Sequence, residues 1–221
     1  MNKYYGESGS YLKDHKDYFT KKQLDIDVSF LRCALSFKKT DKILDLACGD
    51  GRHTLEIMKK GFDIDGLDFS NFLIKTAMEK ARKENIKVKY YKQDIHSMKT
   101  GEKYDKVFLF FSDLGILKPS KLIKNVIKVL KPNGSFLLDS DNIFRLISYL
   151  KNNPKDPYDF DFRNQELIDK KTKEKFGYYT CKELTDLFEA NGLKVTKIYG
   201  DYNMNPLTLE SERTIIVGKL A

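Results

Sequence analysis

No apolar run in this 221-residue chain approaches the roughly 20 residues needed to span a bilayer. With 33% of residues charged and a mean hydropathy of -0.52, the composition excludes a membrane protein. Residues 1–10 have no apolar core after Lys3, so no secretory signal is read there and a cytoplasmic protein is expected. Cysteine is scarce: Cys33, Cys48 and Cys181 are an odd number at wide spacings, with no CxxC pair. That pattern offers no framework for disulfides, zinc or dithiol redox chemistry, and reduced thiols are expected. Arginine is scarce as well, with only Arg32, Arg52, Arg82, Arg145, Arg163 and Arg213 among forty basic residues. The formal charge of +8 therefore comes from lysines, spread through every segment and often beside acids, as in Lys13-Asp14 and Lys173-Glu174. Phosphate and base readers lean on arginine, so a solvated lysine-rich surface is expected ahead of a nucleic-acid patch. There is no internal repeat and no low-complexity linker.

What is present suits one domain over residues 1–221, since 41% of them are hydrophobic and a core of that size needs no staple. After a polar, tyrosine-bearing start, residues 23–35 place Leu24, Ile26, Val28, Leu31 and Leu35 at near-helical spacing, which predicts a helical cover within residues 1–40. The period then alternates. Strands are predicted at 42–47, 62–67, 86–91, 106–111 and 135–138, and helices at 54–58, 71–83 and 121–130, with a turn at Lys131-Pro-Asn-Gly134. Strand then helix, repeated, implies an α/β fold: a Rossmann-like, doubly wound, mostly parallel sheet. Residues 142–177 break the rhythm and read as an insertion, with a helix over 142–150, an aromatic and acidic alternation at 158–162, and a hairpin turning about Lys171-Thr172. A helix over 180–190 opens with the Thr180/Glu183 capping-box pattern. Strands at 193–199 and 214–217 close the chain and are spaced to pair antiparallel.

The segment with chemical content is Ile43-Leu-Asp-Leu-Ala-Cys-Gly-Asp-Gly-Arg-His53. A strand runs into Gly49-x-Gly51 and a helix follows, so backbone can come close to a ligand and the amides that open the helix can face it. The dinucleotide fingerprint GxGxxG fails because Thr54 stands at its third glycine, and no Gly-Lys-Ser/Thr follows to make a phosphate-binding loop. Asp68, 23 positions after Asp45, ends the second strand, where an acid can accept hydrogen bonds from a ribose diol. Phe69 follows it, suited to flank a base, and Asp94-Ile95 follow the third strand.

In this ordered set, Asp45, Ala47, Gly49 and Gly51, then Asp68, then Asp94, the chain resembles the class I S-adenosylmethionine-dependent methyltransferases over residues 25 to 218. Ala47 stands where that family most often has glycine. The resemblance implies a seven-stranded sheet with an antiparallel last strand and S-adenosyl-L-methionine as cofactor. It also implies that Asp45, Ala47, Cys48, Gly49 and Gly51 hold the methionine end, Asp68 and Phe69 the ribose and adenine, Asp94 and Ile95 the adenine edge, with Phe111 beside them. An acid near the loop suits a sulfonium zwitterion and would repel a pyrophosphate. Cys48 is expected to be a small residue in a tight bend rather than a nucleophile, and His53 and His96 to have loop or helix-surface roles.

In this family the acceptor lies beyond strand four, here Phe110-Phe111-Ser112-Asp113-Leu114-Gly115. This is not the Asn/Asp-Pro-Pro-Tyr/Phe motif of base-amine methylation, and no Pro-Cys for C5 methylation follows. The 142–177 insertion and Tyr4, Tyr5, Tyr11 and Tyr18 would meet above the same sheet edge as a lid, so a small-molecule acceptor near Ser112, Asp113, Tyr178 and Tyr179 is expected. An RNA or protein methyltransferase, or a noncatalytic cofactor-binding protein, is the alternative. Asp113 and Asp141-Asn142 resemble the positions from which catechol-type methyltransferases hold magnesium. Asp139 makes that register ambiguous and Asp141 could cap the next helix, so no metal is expected.

Overall fold

The computed structural model describes residues 4–111 and 114–221. A short helix α1 (Tyr11–Asp14) and the longer α2 (Lys21–Ala34) precede β1 (Lys42–Leu46), α3 (Arg52–Lys59), β2 (Asp63–Asp68), α4 (Asn71–Lys83), β3 (Lys89–Lys92) and β4 (Tyr104–Leu109). A 3-10 turn at Leu114–Ile116, α5 (Pro119–Val129) and β5 (Leu130–Asp141) follow. Then come α6 (Ile143–Asn152), β6 (Tyr158–Asp161), β7 (Glu166–Asp169), β8 (Lys175–Gly177), α7 (Cys181–Glu189), β9 (Leu193–Tyr199) and β10 (Arg213–Leu220). The main sheet has seven strands in the order β3-β2-β1-β4-β5-β10-β9. Its first five are parallel, and β10 runs antiparallel to both neighbours, as the resemblance implied. The order reverses between β1 and β4, and a ligand crevice in such a sheet lies beyond the carboxyl ends of its strands at that switch.

Alternation along the strands sorts the core onto two faces. Ile43 of β1 packs with Val28, Phe30 and Leu31 of α2 and Ile57 of α3. Leu44 and Leu46 pack with Leu122, Ile123 and Val126 of α5 and Leu184 and Phe188 of α7. Side chains on the pleat point to opposite faces with period two, so a doubly wound sheet needs both sets apolar. α7 starts on the expected capping box, with Thr180 accepting from Glu183 N and the Glu183 carboxylate accepting from Thr180 N.

Three local expectations change. The third strand begins at Lys89 rather than Ile86, because α4 ends in a turn at Asn85 (φ 55°) with Ile86 N donating to Ala81 O. The turn at 131–134 does not separate helix from strand. β5 already pairs at Leu130 and bulges before resuming at Ser135, with Asn133 at φ 63°. The insertion forms a three-stranded sheet, β6-β7-β8, rather than one hairpin. Two carboxylates make its bends: Asp161 accepts from Arg163 N and Asn164 N, and Asp169 from Lys171 N and Thr172 N. Among the described residues no helix is long and apolar enough to cross a membrane.

Candidate active site

Three left-handed residues within five positions shape the connection from β1 to α3: Ala47 (φ 54°), Gly49 (φ 55°) and Gly51 (φ 73°). A side chain in that region costs about 1–2 kcal/mol, so Ala47 holds strain at the position where the family most often has glycine. The two glycines have different reasons. A Cβ on Gly51 would lie 2.8 Å from Ala77 Cβ and 2.6 Å from Tyr90 Oη, so α4 can pack only on a bare backbone there. A Cβ on Gly49 would meet nothing nearer than Tyr11 Oη at 3.7 Å. Space lies in front of Gly49, and it is part of a cavity.

Asp68, at the end of β2, ties this loop to the next helix. One carboxylate oxygen accepts from Gly49 N at 3.0 Å and the other from Ser70 N at 2.7 Å. Burial raises Asp68 above the usual carboxylate range, against the pull of the amides of Ser70, Gly49 and Phe69. A carboxylate has about four acceptor sites, so the three amides leave room for a further donor from a ligand. Asp45 does not line the cavity. It accepts from the Thr54 hydroxyl at 2.6 Å, and burial pushes its pKa up to about 7, against the Thr54 bond and the Arg52 charge.

A raised carboxylate pKa makes a testable statement about stability. Asp45 favours the folded state fully only below its unfolded pKa of about 4, and that contribution is lost as the pH rises through the folded value. Asp45→Asn, which cannot ionise, is expected to gain on the wild type between pH 5 and pH 8 in urea denaturation. A difference that stays constant over that range would contradict the assignment.

Cys48 is buried, and burial drives its thiol well above the ordinary value, with Asp45 and Asp68 acting the same way. It sits in the bend with its Sγ 3.9 Å from Gly49 O, in surroundings that disfavour a thiolate. The cavity itself encloses about 420 Å3, within the roughly 300–1,000 Å3 of small-molecule sites. Ala47, Gly49, Asp68 and Phe69 form one wall, Asp94, Ile95 and His96 a second, and Tyr5, Tyr11 and Phe111 the cover. His96 therefore sits on the cavity wall. Its Nδ1 lies 2.9 Å from Asp94 Oδ1, and its Nε2 accepts from Lys118 N at 3.3 Å. Lys92, which opens the segment leading to Asp94 and Ile95, also lines it, and Leu73, Ile116 and Leu117, which carried no motif in the sequence, complete the lining.

The amino-terminal segment is fixed over the cavity. The Ser70 hydroxyl donates to Tyr5 O at 2.6 Å, and Tyr5 meets Phe69 edge to face at 5.5 Å. Phe111, itself left-handed at φ 51°, stacks on Tyr18 with centroids 4.2 Å apart. Two carboxylates outside the cofactor motifs support this cover. Asp27, fully buried on α2, accepts from Gln23 Nε2 (2.9 Å) and Arg52 Nη1 (3.2 Å), with His53 Nε2 at 3.0 Å. Burial pushes Asp27 upward, but His53, Gln23 and Arg52 outweigh it and leave its pKa lowered. His53 is thus a buried partner of Asp27, not a surface residue. Asp139, also fully buried, accepts from Phe111 N (2.8 Å), the Tyr202 hydroxyl (2.9 Å) and Arg213 Nε (2.8 Å).

A second concavity of about 770 Å3 adjoins the first and shares Tyr5, Ile116 and Leu117 with it. Tyr178 and Tyr179 line it, at the end of β8. β8 lies backbone to backbone on the turn after β4: a Cβ on Gly115 would fall 2.7 Å from Gly177 O. Ser112 and Asp113 lie outside the described residues. Asp141 is ion-paired with Arg213. Asn142 caps α6 through Phe144 N and donates to the carbonyls of Thr208 and Ser211.

The family model described as "Methyltransferase domain" matches residues 37–200. A putative methyltransferase of Bacillus subtilis, YqeM, is 31% identical over 117 residues, 50% of this chain and 47% of that protein. The ubiquinone biosynthesis O-methyltransferase of Coxiella burnetii is 27% identical over 186 residues, 83% of this chain and 76% of that one. Among solved structures, an S-adenosylmethionine-dependent methyltransferase from Clostridium acetobutylicum superposes with a TM-score of 0.77 at 19% identity, covering 96% of this chain and all of that one. The CcbJ methyltransferase of Streptomyces caelestis gives 0.77 at 16% identity, covering 100% and 99%. At these identities the two structures speak to fold alone.

Proposed function

This chain belongs to the class I S-adenosylmethionine-dependent methyltransferases, and on that premise we propose that it transfers the methyl group of S-adenosylmethionine to a small-molecule acceptor. The observation that carries the reading is the pair of adjoining cavities, one against the glycine loop and one lined by Tyr178 and Tyr179 just after β8, with Tyr5, Ile116 and Leu117 as a common wall. The Coxiella burnetii relative, an O-methyltransferase of ubiquinone biosynthesis, supports a small acceptor over a macromolecule. The three cysteines are free, which suits a reducing cytoplasm. In this reading residues 1–221 act as one methyltransferase domain, with 1–40 as helical cover and 142–177 as the lid.

The residues present fit the cofactor. Asp68 lines the cavity and keeps acceptor capacity beyond its three amide donors, which a ribose hydroxyl can use. The open approach to Gly49 lets a ligand lie on backbone. Asp45, Asp50 and Asp68 lie at the loop and repel a diphosphate more than a sulfonium, with Arg52 and Lys80 offsetting part of their charge. When bound, the cofactor supplies an electrophilic methyl group on a positively charged sulfur.

The chain's part in an in-line displacement is to align the reactants and exclude water. Ala47 and Gly49 give the methionine end its bed, with Cys48 and Gly51 shaping the bend and Asp45 holding it through Thr54. Asp68 and Phe69 orient the ribose and adenine, and Asp94 and Ile95 flank the adenine edge. Phe111, Tyr5 and Tyr11 close the cover, and Tyr178 and Tyr179 face the acceptor, with Ser112 and Asp113 assigned to the same side. Incubation of the full chain with tritiated cofactor and a panel of phenols, amines and carboxylates is expected to label a small molecule. Label confined to added tRNA or protein would refute the acceptor class.

A further inference from the structure

The opposite edge of the main sheet, at the amino ends of its parallel strands, carries a concavity of about 440 Å3 lined by Lys38, Lys106, Lys197 and Lys219. Strand register explains why these lysines converge. Lys106 of β4 is in register with Ser135 of β5, and Ser135 with Lys219 of β10. Residues in register share a face, one strand spacing of about 4.8 Å apart, so two lysines flank one serine hydroxyl. Lys106 Nζ lies 3.5 Å from Ser135 Oγ. Val217, two residues before Lys219 on the same face, is in register with Lys197 of β9. The Lys197 ammonium is fixed by donating to Ala34 O at 3.0 Å. Lys38 approaches from the α2–β1 connection.

This charge is only partly balanced. Asp41 and Asp105 lie in the same concavity and offset part of the charge of its four lysines, Asp105 being shared with Lys131 outside the lining. Asp41 accepts from Lys38 N at 2.8 Å, and one Asp105 oxygen takes Lys42 N at 2.8 Å and Lys131 Nζ at 2.7 Å. Among the described residues Lys38, Lys106 and Lys219 form no ion pair within 4.0 Å. Lys106 is half-buried: burial lowers its pKa, Asp41 and Asp105 oppose that, and Lys38 and Lys219 add to it. A bound anion would relieve this crowding of cations.

We propose that the concavity is a binding site for a small polyphosphate-bearing anion, held over Ser135 between Lys106 and Lys219. The flanking lysines stand two strand spacings apart, about 10 Å, which spans two linked phosphates better than one. Lysine serves here as a point charge rather than a bidentate fork. Among the described residues no aromatic ring lines the concavity, and without a stacking platform of the kind single-stranded nucleic-acid sites use a small ligand is favoured over RNA.

Pyrophosphate titrated calorimetrically into the full chain, without cofactor, tests this site separately from the methyltransferase reading. Wild type is expected to bind saturably with one-to-one stoichiometry. The double variant Lys106→Gln with Lys219→Gln is expected to weaken binding at least about tenfold, the effect of losing one charged contact. A control of equal charge, Lys75→Gln with Lys83→Gln on the exposed side of α4, is expected to stay within about threefold. Equal weakening in both pairs, or no saturation in wild type, would overturn the proposal. So would a 15-nucleotide RNA whose binding depends on Lys106 and Lys219 while pyrophosphate binding does not. Circular dichroism of the double variant guards against misfolding, and Lys106→Arg, which keeps the charge, is expected to retain binding.

Discussion

Asp68→Ala is expected to weaken binding of S-adenosylhomocysteine, the demethylated cofactor, by at least about 100-fold in calorimetry. Two losses combine. The ribose diol loses its acceptor, and the carboxylate that joins Gly49 N to Ser70 N disappears, so the loop is no longer held against the start of α4. Hydrogen bonds to a charged group contribute about 1.5–3 kcal/mol each, and two of them give a factor of about 100 or more. Asp68→Asn keeps one acceptor oxygen and is expected to fall between the two. The Asp68 side chain is buried, so the thermal transition of each variant has to be measured alongside. An affinity left unchanged in a folded Asp68→Ala protein would remove Asp68 from the site.

The largest effect on stability is expected from Asp27→Ala, about 3–5 kcal/mol in chemical denaturation, the cost of breaking a buried ion pair by removing one partner. Asp27 has no exposed side-chain surface and faces Arg52 and His53 together. Without it, Arg52 stays charged and enclosed by the rings of Tyr18, Phe19 and Phe111. Against a total of about 5–15 kcal/mol for a domain, such a loss brings the protein close to unfolding at 37 °C. Asp27→Asn retains an acceptor and is expected to cost less. A loss under about 1 kcal/mol, the range of a surface pair, would show that the cluster does not hold the cover.

The contrast between these two acids explains how far the sequence could be read. The place of Asp68 was legible because it is set locally: it ends a strand, it precedes a helix, and it follows Asp45 at the distance set by one strand-helix-strand unit. Gly49 and Gly51 were legible because their backbone angles and close contacts restrict the residue type. Asp27 works through Arg52 and His53, 25 and 26 positions away, and Asp139 through Arg213, 74 positions away. No local pattern encodes such partners. One signal was available for Asp27, since it falls with Leu24, Val28 and Leu31 at spacings of three, four and seven along α2, an acid within the apolar stripe.

The insertion shows the same limit from another side. Tyr158-Asp-Phe-Asp-Phe162 reads as an alternation without a partner, and its pairing as β6 depended on which bends the acids at 161 and 169 would cap. Both made turns, and three strands resulted where one hairpin was expected. The sequence assigns His96 only a loop or helix-surface role because Lys118 N and the cavity wall come together only in the folded chain.

A crystal structure of the protein grown with S-adenosylhomocysteine tests the central assignment most directly. The account predicts the ribose diol on the Asp68 carboxylate, the adenine between Phe69 and Ile95, and the sulfur facing the concavity lined by Tyr178 and Tyr179. Density for the ligand elsewhere on the chain, or none at a saturating concentration, would contradict it.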